Sequence, residues 1–463
     1  MQLLNIRIHI FIAAVGLFVG SKSVNAVSLV SDENIAEQKK LTKVYRLKNH
    51  IPVVYRQVPN SDILQIHISF KAGMRDLPAG EKDVNELLFA TIPWASSKFP
   101  KETVFRTTEK YALSLNCGGG IETSSCALGT VNDFWLQGLP LLADLIKNPS
   151  LNKTDVELKK QQLLASTKSE MEDPDTISND IVNKVFYPVG HPYLQSFEST
   201  LKELPTISRE QLKAWHGAVL NANRMTIIIA GSLEPQLVVD ELNRHFGTIS
   251  GVKFERPKVV APAFDRTRIS AFEDRKIPTA YIKLKFNGDG ITDKDAVAAR
   301  LMIKVLDEEL GEEIRTKRSL SYAVYSFLVQ YEIGIGFISV STSKPQETFS
   351  ALKDVIKRMK TKDFSRRELE EYKHIYATSY FLTQEEHSTL AAALANSFNY
   401  FDTTDELYQM PEKLEKVTPQ DIKRLAGKLL VNFRSGVVYD RAKFDDKWAD
   451  DLIRVNVTSR RKK

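Results

Sequence analysis

The chain has 463 residues, with 64 Lys and Arg against 58 Asp and Glu, and 43% of its residues are hydrophobic. A formal charge of +6 over that length is too weak for a nucleic-acid surface, and the ordinary apolar content and size fit at least two globular domains rather than a disordered chain. Two cysteines, Cys117 and Cys126, exclude a disulfide scaffold, so the core must come from packing.

The first residues carry the three parts of a secretory signal: Arg7, an apolar run from Ile8 to Val19, and a small-residue stretch ending at Ala26. An apolar run of about twelve residues is short of the roughly twenty that a membrane span needs. The expectation is a signal peptide over 1–26, a mature chain of about +4 with no membrane anchor, and a periplasmic or secreted location. Period-2 alternation then predicts a strand from Ile63 to Phe70 and a strand pair, Ile121 to Ser125 with Thr130 to Leu136. Cys117 and Cys126 flank a Gly-rich turn near that pair; a disulfide and two buried thiols are both open readings.

Landmarks of this first half recur 210 residues later. Leu142-Ala-Asp-Leu-Ile-Lys matches Leu352-Lys-Asp-Val-Ile-Lys, and each begins an amphipathic helix followed by a charge-rich one. Leu204-Pro-Thr-Ile-Ser-Arg-Glu-Gln-Leu matches Leu414-Glu-Lys-Val-Thr-Pro-Gln-Asp-Ile, both reading as a Ser/Thr helix cap with an amide or acid soon after. The closing strands begin at Arg224 and Arg434. The second half opens on a strand from Tyr281 to Phe286 and pairs Tyr322 to Gln330 with Gly334 to Ser341. The reading is α+β, two homologous domains, each a mostly antiparallel sheet packed with helices. The boundaries are 27–249 for the first domain, 250–268 for a Pro-bearing linker, 269–456 for the second domain and 457–463 for a basic tail.

The loop Ala72-Gly-Met-Arg-Asp-Leu-Pro-Ala-Gly80 leads into Val84-Asn-Glu-Leu-Leu-Phe-Ala90. This resembles the opening of the pitrilysin/insulinase-type zinc peptidases, in which Ala-Gly-x-Arg-x-x-Pro precedes a helix bearing His-x-x-Glu-His. Two imidazoles one turn apart hold zinc there, and the carboxylate between them takes a proton from the metal-bound water. Here Glu86, Phe89 and Ala90 fill those positions, and Thr167 falls where the family places its third ligand, a Glu on a later helix. The seven histidines that follow the leader never recur at i, i+3 or i, i+4. This chain is therefore expected to bind no cofactor, and its metal positions are degenerate.

Two further stretches extend the resemblance. Gly118-Gly-Gly-Ile-Glu122-Thr-Ser-Ser125 stands where the family has an edge strand that pairs with substrate, which implicates Gly119, Gly120, Ile121, Glu122 and Thr123 in peptide binding by strand addition. Ile314-Arg315-Thr-Lys-Arg318-Ser-Leu-Ser-Tyr322 resembles the family's Arg-Glu-x-x-Gly-Leu-x-Tyr, whose Arg and Tyr hold substrate and polarise the scissile carbonyl. The resemblance implies two-domain chains that pair into a clamshell. It further implies a heterodimer in which a homologous His-x-x-Glu-His subunit carries the zinc and this chain supplies Arg315 and Tyr322 to it, with peptides as substrates. The alternative is a non-catalytic peptide-binding or assembly protein of the same fold.

Overall fold

Leu64, Ile66, Ile68 and Phe70 alternate along Ile63–Phe70, and all four are buried on the covered face of a strand. The computed structural model describes residues 32–264 and 269–455; the expected leader, the tail 457–463 and part of the linker lie outside them. In the first half the strands are β1 (Thr42–Arg46), β2 (Pro52–Gln57), β3 (Ile63–Phe70), β4 (Ser114–Gly118), β5 (Ser124–Val131) and β6 (Met225–Gly231). They form a sheet in the order β1-β2-β6-β3-β5-β4, antiparallel except where β2 runs parallel to β6. The second half contributes β7 (Ser270–Asp274), β8 (Ala280–Gly288), β9 (Val324–Gln330), β10 (Gly334–Thr342) and β11 (Arg434–Tyr439), ordered β7-β11-β8-β10-β9 with β7 parallel to β11. Apart from β1, the second sheet repeats the order of the first. The described linker residues, 250–264, run without regular secondary structure between the two sheets.

The Ser208 and Thr418 landmarks hold their expected roles, whereas Leu142 and Leu352 lie inside the helices Trp135–Lys147 and Pro345–Thr361 rather than at their starts. Ser208 and Thr418 each cap a helix and form a capping box, with Gln211 and Asp421 respectively. One strand pair is displaced from its expected place. Residues 119–123 form the turn between β4 and β5, and the chain leaves β5 at Val131 for the helix Trp135–Lys147. The aromatic and branched residues from Thr130 to Leu136 resemble a strand, but Trp135, Leu139, Leu142 and Ile146 are buried at helical spacing, so tertiary packing decides against extended structure. Cys117 and Cys126 face each other across β4 and β5 and are joined as a disulfide.

Each sheet is covered on its second face by a helix from the opposite half. The helix Pro174–Phe186 crosses to lie on β11 and β8, while His387–Phe401 lies on β6 and β3. Leu390, Leu394 and Phe398 pack with Val54 and Ile228, and each such fully buried side chain contributes about 1.5–3 kcal/mol. Gly436 lets the first of these helices approach: a Cβ there would stand 2.4 Å from the Ser178 carbonyl oxygen. Lys283 Nζ reaches Asp175 at 2.9 Å, and Lys285 Nζ bonds Asn183, so the crossing helix is also held by buried polar contacts.

A polar node seals the same junction. Glu122, only 1% exposed, pairs with Arg75 at 2.6 Å, accepts from the Tyr193 and Tyr400 hydroxyls, and accepts from the Glu332 backbone N–H at 3.2 Å. Arg75 also pairs with Glu332 at 2.6 Å, and Arg256 of the linker forks onto Asp76 at 2.9 Å. Arg256 also donates to the Glu122 backbone carbonyl at 2.7 Å, so the node joins the first half, the linker and the second half through charge-assisted bonds. Glu122→Ala leaves Arg75 with Glu332 as its only carboxylate partner and strands the buried Tyr193 and Tyr400 hydroxyls, so it should cost about 3–5 kcal/mol in denaturant unfolding. A loss below 1 kcal/mol would mean that the node carries little of the junction.

Candidate functional site

The helix Asp83–Thr91 begins where the loop after β3 turns back, and its first turn is tied down from three sides. Lys82 Nζ donates to the carbonyls of His191 and Leu194 at 2.8 and 2.6 Å. Asn85 donates to the Gly120 carbonyl at 3.2 Å and accepts from the Trp215 indole at 3.0 Å. Gly119 packs so closely that a Cβ would meet Asn85 Nδ2 at 2.8 Å and Glu86 Cα at 3.0 Å. Gly119 is therefore required by the approach of turn to helix, while a Cβ at Gly120 would meet the Thr123 carbonyl oxygen at 2.3 Å within the turn itself.

Of the four degenerate metal positions, two come together. Glu86 and Thr167 line one cavity of about 490 Å³, bounded also by Asp83, Glu170, Asp180 and Gln195. Ala90 lies one turn from Glu86 on the same helix. Phe89 is turned the other way, 0% exposed, its ring 5.6 Å from that of Phe70. Thr167 donates its hydroxyl to the Leu163 carbonyl at 2.9 Å, within its own helix.

Four acids, Asp83, Glu86, Glu170 and Asp180, stand on the cavity wall. Asp83 Oδ1 accepts from Gln195 at 2.8 Å and from Thr200 at 3.1 Å, whereas its Oδ2 is buried without a hydrogen-bond partner. Burial pushes the Asp83 carboxyl up to about 6, against the lowering effect of Thr200 and Gln195. Desolvation, then the neighbouring Asp83, raises Glu86; Lys159, held 4.3 Å above the Trp94 ring, opposes this. Asp180 is satisfied by Lys184 at 3.1 Å and the Phe197 N–H at 2.9 Å. Little in the sequence marks Asp83, Gln195 or Thr200; the one signal is an acid in the first turn of a largely apolar helix.

The histidines serve structure. His216 bonds the Ile146 carbonyl at 2.7 Å, His191 bonds that of Val260 at 3.1 Å, and burial pushes His67 down to about 4. Among the described residues no group of three or more His, Cys, Asp and Glu is arranged to hold a metal ion. The donor set at Glu86, Phe89, Ala90 and Thr167 does not fit zinc, which takes four N, S or O ligands.

Gly119, Gly120, Ile121, Glu122 and Thr123 lie in the β4–β5 turn, not in a strand, and the Glu122 side chain is spent on the buried node. The open ladder edge is β4, beside an apolar cleft of about 700 Å³ lined by Trp94, Phe105, Leu113 and Leu115. In the second half Arg315 sits on a π-helical turn, Gly311–Lys317, and Tyr322 precedes β9 with 91% of its surface exposed. Neither side chain makes a hydrogen bond or ion pair with another described residue. Ser319, between them, takes a φ of 49°, a left-handed conformation in which glycine is easier.

Residues 206–376 match the family described as the peptidase M16 inactive domain. This stretch is thus similar to an M16 inactive domain. A Helicobacter pylori protein named non-peptidase homolog YmxG is 22% identical over 364 residues, covering 76% of this chain and 82% of that protein. Subunit 1 of the bovine mitochondrial cytochrome b-c1 complex is 25% identical over 207 residues, 44% of this chain and 42% of that one. The solved M16 inactive domain from Pseudomonas fluorescens superposes with a TM-score of 0.77 at 18% identity, covering 86% of this chain and 97% of its own. The resemblance read from the first-half loop is borne out, and so is the α+β fold of two halves that each pack a sheet with helices.

The site yields a pH prediction. The Asp83 carboxyl binds its proton more tightly folded, at about 6 against 3.8, so its contribution to stability is present below pH 4 and is lost as pH rises through 6. Between pH 4 and 7 the natural chain should lose on the order of 2 kcal/mol that Asp83→Asn retains. Denaturant midpoints at the two pH values check this, and parallel losses in both proteins would contradict it.

Proposed function

We propose that the chain is the non-zinc, substrate-binding subunit of an exported heterodimeric M16 metallopeptidase. Its partner is a homologous His-x-x-Glu-His subunit that carries the zinc, and peptides or unfolded segments are cleaved in the closed chamber between them. Arg315 and Tyr322 face that zinc site and donate to the substrate carbonyl as negative charge develops on it. The observation that carries the reading is the state of these two side chains: both are exposed and unpaired, while the first half lacks every residue of the metal motif. A guanidinium and a phenol that make no hydrogen bond within their own chain are available to a ligand or a second chain.

Three features support the surrounding parts. The free edge of β4 and its apolar cleft suit an extended peptide added as a strand, with alternate side chains entering the cleft. The Cys117–Cys126 disulfide suits an oxidising compartment, in keeping with the leader at 1–26. No helix among the described residues is long and apolar enough to cross a membrane. The second reading, a peptide-binding or assembly protein without a part in catalysis, is favoured by the likeness to a cytochrome b-c1 subunit.

Co-expression with a His-x-x-Glu-His homologue separates the two. Peptide cleavage by the pair should fall about 10²–10³-fold in kcat for Arg315→Ala and clearly for Tyr322→Phe, with the complex intact. Undiminished cleavage in the double variant would overturn the role of the pair.

A further inference from the structure

The helix Pro174–Phe186 lies on β7, β11 and β8, and the two outer strands of that sheet, β10 and β9, extend beyond it. On the face left open, three rings stand in a row. Phe327 of β9 is paired in register with Phe337 of β10, their rings 4.5 Å apart and 10° from parallel, and Tyr325 stacks on Phe327 at 6.1 Å. Buried lysines fix the row: Lys285 Nζ stands 4.4 Å over the Phe337 ring, and Lys283 Nζ donates to the Tyr325 hydroxyl at 3.1 Å. Tyr325 and Phe327 nevertheless expose 39% and 41% of their surface. We infer that this strip is a recognition site for an aromatic side chain of a bound peptide, which continues the offset stack on Phe327 and Tyr325.

The first sheet shows that an open outer strip does not require such a row. Its equivalent on β4 and β5, beyond the helix His387–Phe401, carries Ser114, Asn116, Ser125 and Ala127, small or polar as solvent exposure favours. At about 150–250 Å² per aromatic side chain, the exposed parts of Tyr322, Tyr325 and Phe327 amount to roughly 250–450 Å². A stable subunit interface takes about 800 Å² from each partner, so the strip is sized for one or two side chains of a ligand. A side chain is recognised here rather than a backbone, because Asp307 takes the Ser326 N–H at 2.7 Å and closes the middle of the β9 edge to an added strand. Tyr322, the proposed donor to the scissile carbonyl, precedes Tyr325 by three residues and Phe327 by five, at most about 11 and 18 Å along the backbone. An extended peptide held at Tyr322 therefore reaches the strip with a residue within about five of the scissile bond.

The choice of ligand rests on the peptide-binding reading. The full mature chain is titrated calorimetrically with three acetylated, amidated heptapeptides that carry phenylalanine, leucine or alanine at one position, and with N-acetylphenylalaninamide. The phenylalanine peptide should bind at least tenfold more tightly than the alanine peptide, and more tightly than the leucine peptide. Phe327→Leu, which keeps apolar packing on Phe337, should abolish the advantage over leucine, and Tyr325→Ala should reduce it. A leucine peptide that binds as well as the phenylalanine one overturns the strip and leaves peptide binding in place. So does an advantage that survives Phe327→Leu, or one that is lost instead in Phe105→Ala beside β4. N-acetylphenylalaninamide bound by the natural chain and lost in Phe327→Leu, with no peptide bound, supports the strip and removes the peptide-binding reading; binding of neither overturns both. A dimer in sedimentation that Phe327→Leu dissolves makes the strip a contact between copies and overturns its role as a ligand site.

Discussion

Each sheet buries one face under helices of its own half and the other under a helix lent by the opposite half. β6 and β11 are buried along their whole lengths because of this exchange, one beneath His387–Phe401 and the other beneath Pro174–Phe186. Neither half can separate without exposing Val54, Ile228 and the apolar side of the crossing helices, a cost of several buried side chains at about 1.5–3 kcal/mol each. The candidate cavity inherits the constraint. Its wall includes Asp180 and Asn183 of the helix Pro174–Phe186, and Asn183 is bonded to Lys285 of β8, so the second sheet holds one side of a site that the first half otherwise builds.

The replacement of the metal motif is more than an exchange of ligands. Phe89, at the position of the family's general base, is part of the core and packs on Phe70, so a carboxylate there would enter an apolar environment unpaired. Glu86 and Thr167 remain on the cavity, yet they present oxygen acceptors where imidazole and carboxylate ligands would be needed. What stands in the first half is a cavity with four acids on its wall, beside a buried Asp83 carboxylate oxygen that has no hydrogen-bond partner. In the second half the exposed Arg315 and Tyr322 keep the donors of the motif, and Ser319 holds its left-handed turn without glycine.

Much of this organisation is legible in the sequence because it rests on local periodicity. Strand alternation locates β3, β8, β9 and β10, and Ser208 and Thr418 announce their helices through capping. The exchange of helices is not legible, since an amphipathic stripe on Pro174–Phe186 says that a face is buried but not on which sheet. The turn at 119–123 escapes for a related reason: its glycines read as an edge strand, whereas Gly119 is packed against Asn85 and Glu86. Glu122, singled out as a substrate contact, shows its actual partners only when Arg75, Tyr193, Glu332 and Tyr400, far apart in the chain, converge on it. Asp83 is likewise unremarkable in sequence, and its orphaned oxygen exists only in the folded packing.

The zinc content of the purified mature chain tests most directly whether the metal site has given way to a metal-free acidic cavity. After incubation with excess zinc and gel filtration, elemental analysis should find far less than one zinc per chain, unchanged by Glu86→Ala. Stoichiometric zinc that Glu86→Ala removes would contradict it.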